Sequence, residues 1–279
     1  MTLSRVRRWV WIWAVMAAAL AAALAAPAQA QVVVRPARIE AQVQDGTELP
    51  PIEVSNRGHG PVRVVAYTGW GGHDLQGMPV YRDDAAARAE SSRYVRLEPD
   101  ELHVGPGETV PLRATVHVPD GFAGGLYPVI FLEVHPADSP DLAGVQAVPR
   151  IAVITLLTVG EGTAQVRPEA AVVRPGPGGG TLEVAVRVRN EGDVHALAGG
   201  KVTITDGSGA EVARIPLVPG LVLPGAEREL VAQWLPPGPA GGSYVATVRL
   251  EGPVPAPPFE LAFTLDPVPA LAGAGGAGW

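Results

Sequence analysis

From Val32 onward, apolar and polar residues alternate along most of the chain. Val184, Val186 and Val188 interleave with Glu183, Arg187 and Arg189, the period of two that marks a half-buried strand. Leu112, Ala114, Val116 and Val118 repeat the pattern, and so do Tyr244, Ala246, Val248 and Leu250. Ile151 to Val159 is apolar at both parities, which predicts a strand covered on both faces or lying at a domain junction. Turn signals break these runs at short intervals: Asp45-Gly46, Pro106-Gly107, Asp120-Gly121, Asp206-Gly207 and Pro224-Gly225. KVTITDGSGAEVARI reads as a hairpin, and DDAAARAESS (83–92) as the one helix, capped by Asp83 or Asp84. Many short strands with regular turns predict an all-β sandwich or barrel.

The strands fall into a unit built twice. VGPGETVPLRATVHVPDGFAGGLYPVIFLEV (104–134) lies over VLPGAERELVAQWLPPGPAGGSYVATVRLEG (222–252). Each copy is preceded by a strand ending in Asn-x-Gly, with Asn56 and Gly58 in the first and Asn190 and Gly192 in the second. Asn to Tyr spans 71 residues in the first copy and 54 in the second, and the surplus of 17 is what the excursion around the helix would supply. The unit has an immunoglobulin-like plan. Tyr127 and Tyr244 stand at the head of the penultimate strand, where a structural tyrosine corner is expected. The chain is thus expected to hold two tandem immunoglobulin-like β-sandwiches after an N-terminal signal helix, at 31–163 and 164–266, with a disordered Pro/Gly/Ala tail at 267–279.

The first thirty residues change the picture of where the chain works. Arg5, Arg7 and Arg8 precede an apolar run from Trp9 to Ala26, and Ala28-Gln29-Ala30 is a small-x-small cleavage signal. That is the layout of a secretory signal peptide, so the protein is expected to be exported, to a periplasm or to the extracellular side or cell envelope. Cleavage would remove three Arg and no acid, taking the net charge from −7 to −10. Such a charge argues against nucleic acid or anionic lipid as a partner. With 0 Cys, disulfides, thiolate metal sites and cysteine catalysis are excluded.

Catalytic chemistry has no foothold in the motifs. No H-E-x-x-H, G-x-S-x-G or phosphate-binding glycine loop is present. His73-Asp74 is the only local acid–base pair, and Asp138 and Asp141 match no Ca²⁺ loop. The expectation is a non-enzyme with no cofactor and no metal site.

RPARIEAQVQDGTELPPIEVSNRGHGPVRVVAYTG, YVRLEPDELHVGPGETVPLRATVHVP and GGLYPVIFLEVHP, in that order, resemble the N-terminal domain of PapD-like periplasmic pilus chaperones. The resemblance runs from about Val32 to Val159, and the layout is also similar to that of two-domain surface proteins that interact with WxL proteins. It implies a client protein whose strand adds to the last strand of the first domain. It also implies two basic residues in the interdomain cleft that hold the client's C-terminal carboxylate. Arg38 and Arg150 are the matching positions, while Pro149 would remove one N–H from the donating edge. The second unit, RVRNEGDVHALAGGKVTITDGSGAEV, is similar to generic Ig-like modules of bacterial surface proteins. The expected function is an exported, non-enzymatic binding protein acting as an assembly chaperone by edge-strand addition. The alternative is a surface module that binds cell-wall polymer or another surface protein.

Overall fold

The computed structural model of the protein describes residues 32–137, 148–177, 180–236, 241–252 and 256–266. The signal segment and the tail lie outside the described residues, as do Asp138 and Asp141.

Eleven strands and one helix build the first sandwich. They are β1 (Val32–Arg35), β2 (Arg38–Val43), β3 (Ile52–Asn56), β4 (Val62–His73), β5 (Pro79–Arg82), α1 (Ala85–Ser91), β6 (Val95–Glu98), β7 (Glu101–Val104), β8 (Thr109–Val116), β9 (Gly124–Leu126), β10 (Pro128–Pro136) and β11 (Arg150–Val159). One sheet runs β1-β3-β8-β6; facing it is β2-β11-β10-β4-β5, with β7 also on β4 and β9 also on β11. The chain starts in one sheet and crosses to the other at Pro36-Ala37. β1 pairs antiparallel with β3, and β2 then pairs parallel with β11, Arg38 opposite Ile154 and Val43 opposite Val159. Alternate residues of each strand fill the space between the sheets, among them Ile52, Val54, Leu112, Ile130, Leu132 and Leu157, all fully buried.

The second sandwich holds β12 (Val166–Pro175), β13 (Leu182–Asn190), β14 (Ala196–Asp206), β15 (Glu211–Val222), β16 (Glu227–Trp234), β17 (Gly242–Glu251) and β18 (Phe259–Leu265). Its sheets run β12-β13-β16 and β15-β14-β17-β18, around a separate core that includes Val184, Val186, Ile204 and Trp234. The expected hairpin is β14–β15.

The excursion between β4 and β6 is the β5–α1 unit. Asp84 caps α1 by accepting from the N–H groups of Ala86 and Ala87. The unit covers the outer face of the larger sheet: Ser91 meets Thr68 at 2.8 Å, and Tyr81 meets Phe131 edge-on at 5.3 Å. Phe131 is therefore buried although it points away from the first core. Val129 and Leu156 on the same outer face lie where Leu221 and Leu223 of the second sandwich come up to the first, so the second apolar face of the 151–159 stretch is at the domain junction.

The duplicated Asn-x-Gly is a lock between two turns. Asn56 Nδ2 donates to the Gly60 and Val104 carbonyls (2.8 and 3.0 Å), and its Oδ1 accepts from Gly58 N (2.9 Å). Asn190 Nδ2 donates to Val194 and Val222 (2.8 and 3.0 Å), and its Oδ1 accepts from Gly192 N (3.0 Å). The main chain of each Asn then bonds the Pro-Gly turn, Gly107 N to Asn56 O and Gly225 N to Asn190 O, both at 2.8 Å. Those glycines sit at φ +74° and +70°, where a side chain would be strained.

Candidate binding site

β11 carries the candidate site, because its two halves have different neighbours. From Ile154 onward it lies between β2 on one side and β10 or β9 on the other. From Arg150 to Val153 only β10 pairs with it among the described residues. Ile154 N donates to Ala37 O (3.0 Å), on the β2 side of the strand, whereas Pro149 O accepts from Val134 N (2.9 Å), on the β10 side. Main-chain polar groups alternate between the two sides, so Arg150 and Ala152 direct theirs to the open edge. Pro149 has the opposite parity. Its missing N–H therefore falls on the β10 side, and the open edge keeps its donors, contrary to the sequence expectation.

Arg38 and Arg150 do not meet around a common centre. Arg150 lies four residues before Ile154, the partner of Arg38, which at about 3.3 Å per residue separates them by about 13 Å along the strand. Each already has a carboxylate. Arg38 donates to Glu40 at 2.6 Å. Arg150 pairs with Asp83 of the excursion, lies 3.4 Å from the Tyr67 hydroxyl and sits over the Phe131 ring at 4.8 Å. The Tyr67 hydroxyl, then Asp83, hold the Arg150 guanidinium above its ordinary pKa. Tyr67 itself is raised, first by burial and then by its 2.7 Å bond to Glu133.

The two tyrosines take different places. Tyr127 faces the second sandwich: its hydroxyl lies 3.4 Å from His195 Nδ1, and the rings meet edge-on at 5.7 Å. Burial pushes its pKa up to about 12, so it remains a donor. Tyr244 stacks on Phe263 at 5.6 Å and meets Trp234 at 5.3 Å, inside its own sandwich. Both rings also lie back over the glycine two positions earlier, Gly125 and Gly242. Packing of the first sandwich against the second turns Tyr127 outward, while aromatic neighbours absent from the first sandwich hold Tyr244.

His195 continues the chain of polar contacts to Glu40 (Nε2 to Oε1, 3.2 Å), giving Arg38–Glu40–His195–Tyr127 across the junction. The His195 bond, ahead of Arg38, holds the Glu40 carboxyl below its ordinary value. Other contacts join the sandwiches through main chain: Gly125 N to Asp193 O (2.8 Å) and Glu229 N to Leu75 O (2.7 Å). His73 is one of them, not half of an acid–base pair. Its Nε2 accepts from Leu223 N (3.2 Å) and its Nδ1 bonds Asp74 O (2.9 Å), so both ring nitrogens are committed to main chain. Nothing in the local sequence signalled His195 or Leu223 as partners of the first sandwich.

No protein-family model matches the sequence, and no curated protein matches it at a significant level. Among solved structures, the chain is similar to a chaperone–tip adhesin complex of CFA/I fimbriae biogenesis, at 12% identity over 86% of this chain and 100% of that one, with a TM-score of 0.46. It is also similar to the CsuC–CsuE chaperone–tip adhesion subunit pre-assembly complex of Acinetobacter baumannii (14% identity, 84% and 98% covered, TM-score 0.41). A third is the CupB2 chaperone of Pseudomonas aeruginosa (14% identity, 77% and 92% covered, TM-score 0.42). By its own topology, this chain is an all-β tandem of immunoglobulin-like sandwiches in which the chain crosses between sheets after β1 and, among the described residues, leaves Arg150 to Val153 of β11 paired on one side only.

Proposed function

We propose that this is an exported binding protein that receives an extended segment of another exported protein on the open edge of β11, in the manner of an assembly chaperone. The observation that carries the reading is the edge from Arg150 to Val153, which no other described strand pairs, in line with β2 and ending where Arg38 begins. An incoming strand would take over the course that β2 follows further along, bonding the outward groups of Arg150 and Ala152. Its apolar residues would extend the row that Ile151 and Val153 turn inward. If it runs parallel to β11, its end reaches Arg38, and its carboxylate competes with Glu40 for that guanidinium. Arg150, held by Asp83 about four residues earlier, would flank the added strand without sharing that carboxylate.

Proline substitution separates this role from stability. Ala152→Pro removes an N–H that faces solvent, whereas Val153→Pro removes one on the β10 side. A seven-residue peptide of alternating Val and Thr with a free C-terminus serves as the probe. It is expected to slow amide exchange at Arg150 and Ala152, to bind less well when amidated, and to lose this protection in Ala152→Pro with little change in melting temperature. Protection elsewhere on the chain, or undiminished binding to the folded Ala152→Pro variant, would overturn the reading.

A further inference from the structure

Between the two sandwiches lies a cavity of about 190 Å³, beside the His73–Leu223 bond. Its walls are mainly apolar, built by Val129 and Leu156 from the first sandwich and Leu221 and Leu223 from the second. Gly71 of β4 lets the strand come close, since a Cβ there would collide with Val129 on the cavity wall. Apolar walls alone would not specify a guest. The polar groups on the rim do.

Most of those groups are already engaged. Both nitrogens of His73 bond main chain, the Thr155 hydroxyl donates to Pro128 O, and the Tyr127 hydroxyl lies against His195. Besides the neutral Tyr81 hydroxyl, Arg228 of β16 is the exception, and it is the one that carries charge. Its Nη1 donates to Leu221 O at 2.8 Å, but its Nε is buried without a hydrogen-bond partner. Among the described residues it takes part in no ion pair, although Glu227 and Glu229 on either side both do. The guanidinium lies between Gly77 of the first sandwich and Gly220 of the second, so close to both that a Cβ at either would collide with it. No Asp or Glu lines the cavity. The only charge at its wall is therefore a guanidinium lacking a counterion, with a fork geometry suited to a carboxylate.

We propose that this cavity is a binding site for a small apolar monocarboxylate, whose carboxylate meets Arg228 and whose body of six to eight carbons fills the space between the sandwiches. The size follows from volume: a dry apolar cavity of roughly 150 Å³ accommodates benzene, and this one is slightly larger. A cation would face Arg228 unpaired. A neutral guest of the same shape would gain the apolar contacts and leave the guanidinium uncompensated. The cavity takes one wall from Ile154, Thr155 and Leu156 of β11, just beyond the open edge, while its charged group, Arg228, comes from the second sandwich and not from that edge.

Benzoate and its neutral counterpart benzamide are the probes, titrated calorimetrically into the full chain at neutral pH. Benzoate is expected to bind at least tenfold more tightly, with nuclear Overhauser contacts from its ring to the methyls of Val129 and Leu223. Arg228→Met, which keeps the apolar stem, should erase that preference while benzamide still binds. Arg228→Gln, which keeps a neutral donor and tolerates the same packing, should behave alike. Equal affinity for the two probes, no binding of benzoate, or ring contacts outside the cavity would each overturn the proposal, and these need only the unaltered protein. A retained tenfold preference in either variant would overturn the assignment to Arg228.

Discussion

The two sandwiches share a lock and differ in a seam. In both, a buried asparagine ties an Asn-x-Gly turn to a Pro-Gly turn through the same set of bonds. In the first, β2 leaves the sheet of β1 and closes the edge against β11. In the second, β12 also meets a proline, Pro168, and its register slips there, but it returns to β13 and stays with it to Pro175. β18 is consequently an edge strand, and no residue of β12 or β18 is fully buried. Phe259, Leu261, Phe263 and Leu265 pack on the second core from one side only. The same unit can thus be closed by its own first strand or left half open, and the difference lies in where that strand goes after its proline.

The largest expected effects test the seam. Leu157→Ala in β11 removes a fully buried side chain and should cost about 4 kcal/mol, whereas Leu261→Ala in β18 should cost about 1.5 kcal/mol. Denaturant unfolding of each variant measures the contrast. Comparable losses would mean that β18 is as well covered as β11.

Next come the locks. Asn56→Ala and Asn190→Ala each strand two carbonyls and a turn N–H, with Gln165 N freed as well in the second, so each should lose about 3 kcal/mol from its own sandwich. Unfolding followed by tryptophan fluorescence, with Trp70 in the first sandwich and Trp234 in the second, can assign the loss. A loss at one site several times that at the other would break the equivalence of the two locks.

The smallest effect concerns the tyrosines. Tyr127→Phe removes a hydroxyl in contact with His195 and should cost about 0.5 kcal/mol, while Tyr244→Phe, whose ring packs through its faces, should change stability by less. Equal losses in thermal melts would give the pair a common role.

Strand positions, the capped helix, the β14–β15 hairpin and the duplication were legible in the chain. Alternation at period two and Pro-Gly or Asp-Gly turns are local, and a local pattern survives without knowledge of the neighbours. The Asn-x-Gly repeat was visible too, but its purpose was not, because Val104 and Val222 reach their asparagines from 48 and 32 residues away. The candidate site was read less well. Arg38 and Arg150 fall at the two ends of the open edge, yet the register of β2 on β11 sets them four residues apart, and each is paired with its own carboxylate, Glu40 or Asp83.

What the sequence by itself determined is the unit: two all-β sandwiches, each alternating toward a core and pinned by an asparagine, with an excursion in the first. Tertiary structure alone decided how the equivalent positions were used. AGGLY and AGGSY are nearly the same string, and each glycine lies beside its own tyrosine, but Gly125 and Tyr127 reach Asp193 and His195 of the neighbouring sandwich while Tyr244 packs on Trp234 and Phe263 of its own. Arg228 gains its place between two glycines from different sandwiches in the same way. A side chain's parity along a strand is set by backbone geometry within a few residues. Its partner is set by which sheet faces arrive opposite it, and that depends on packing across the whole chain.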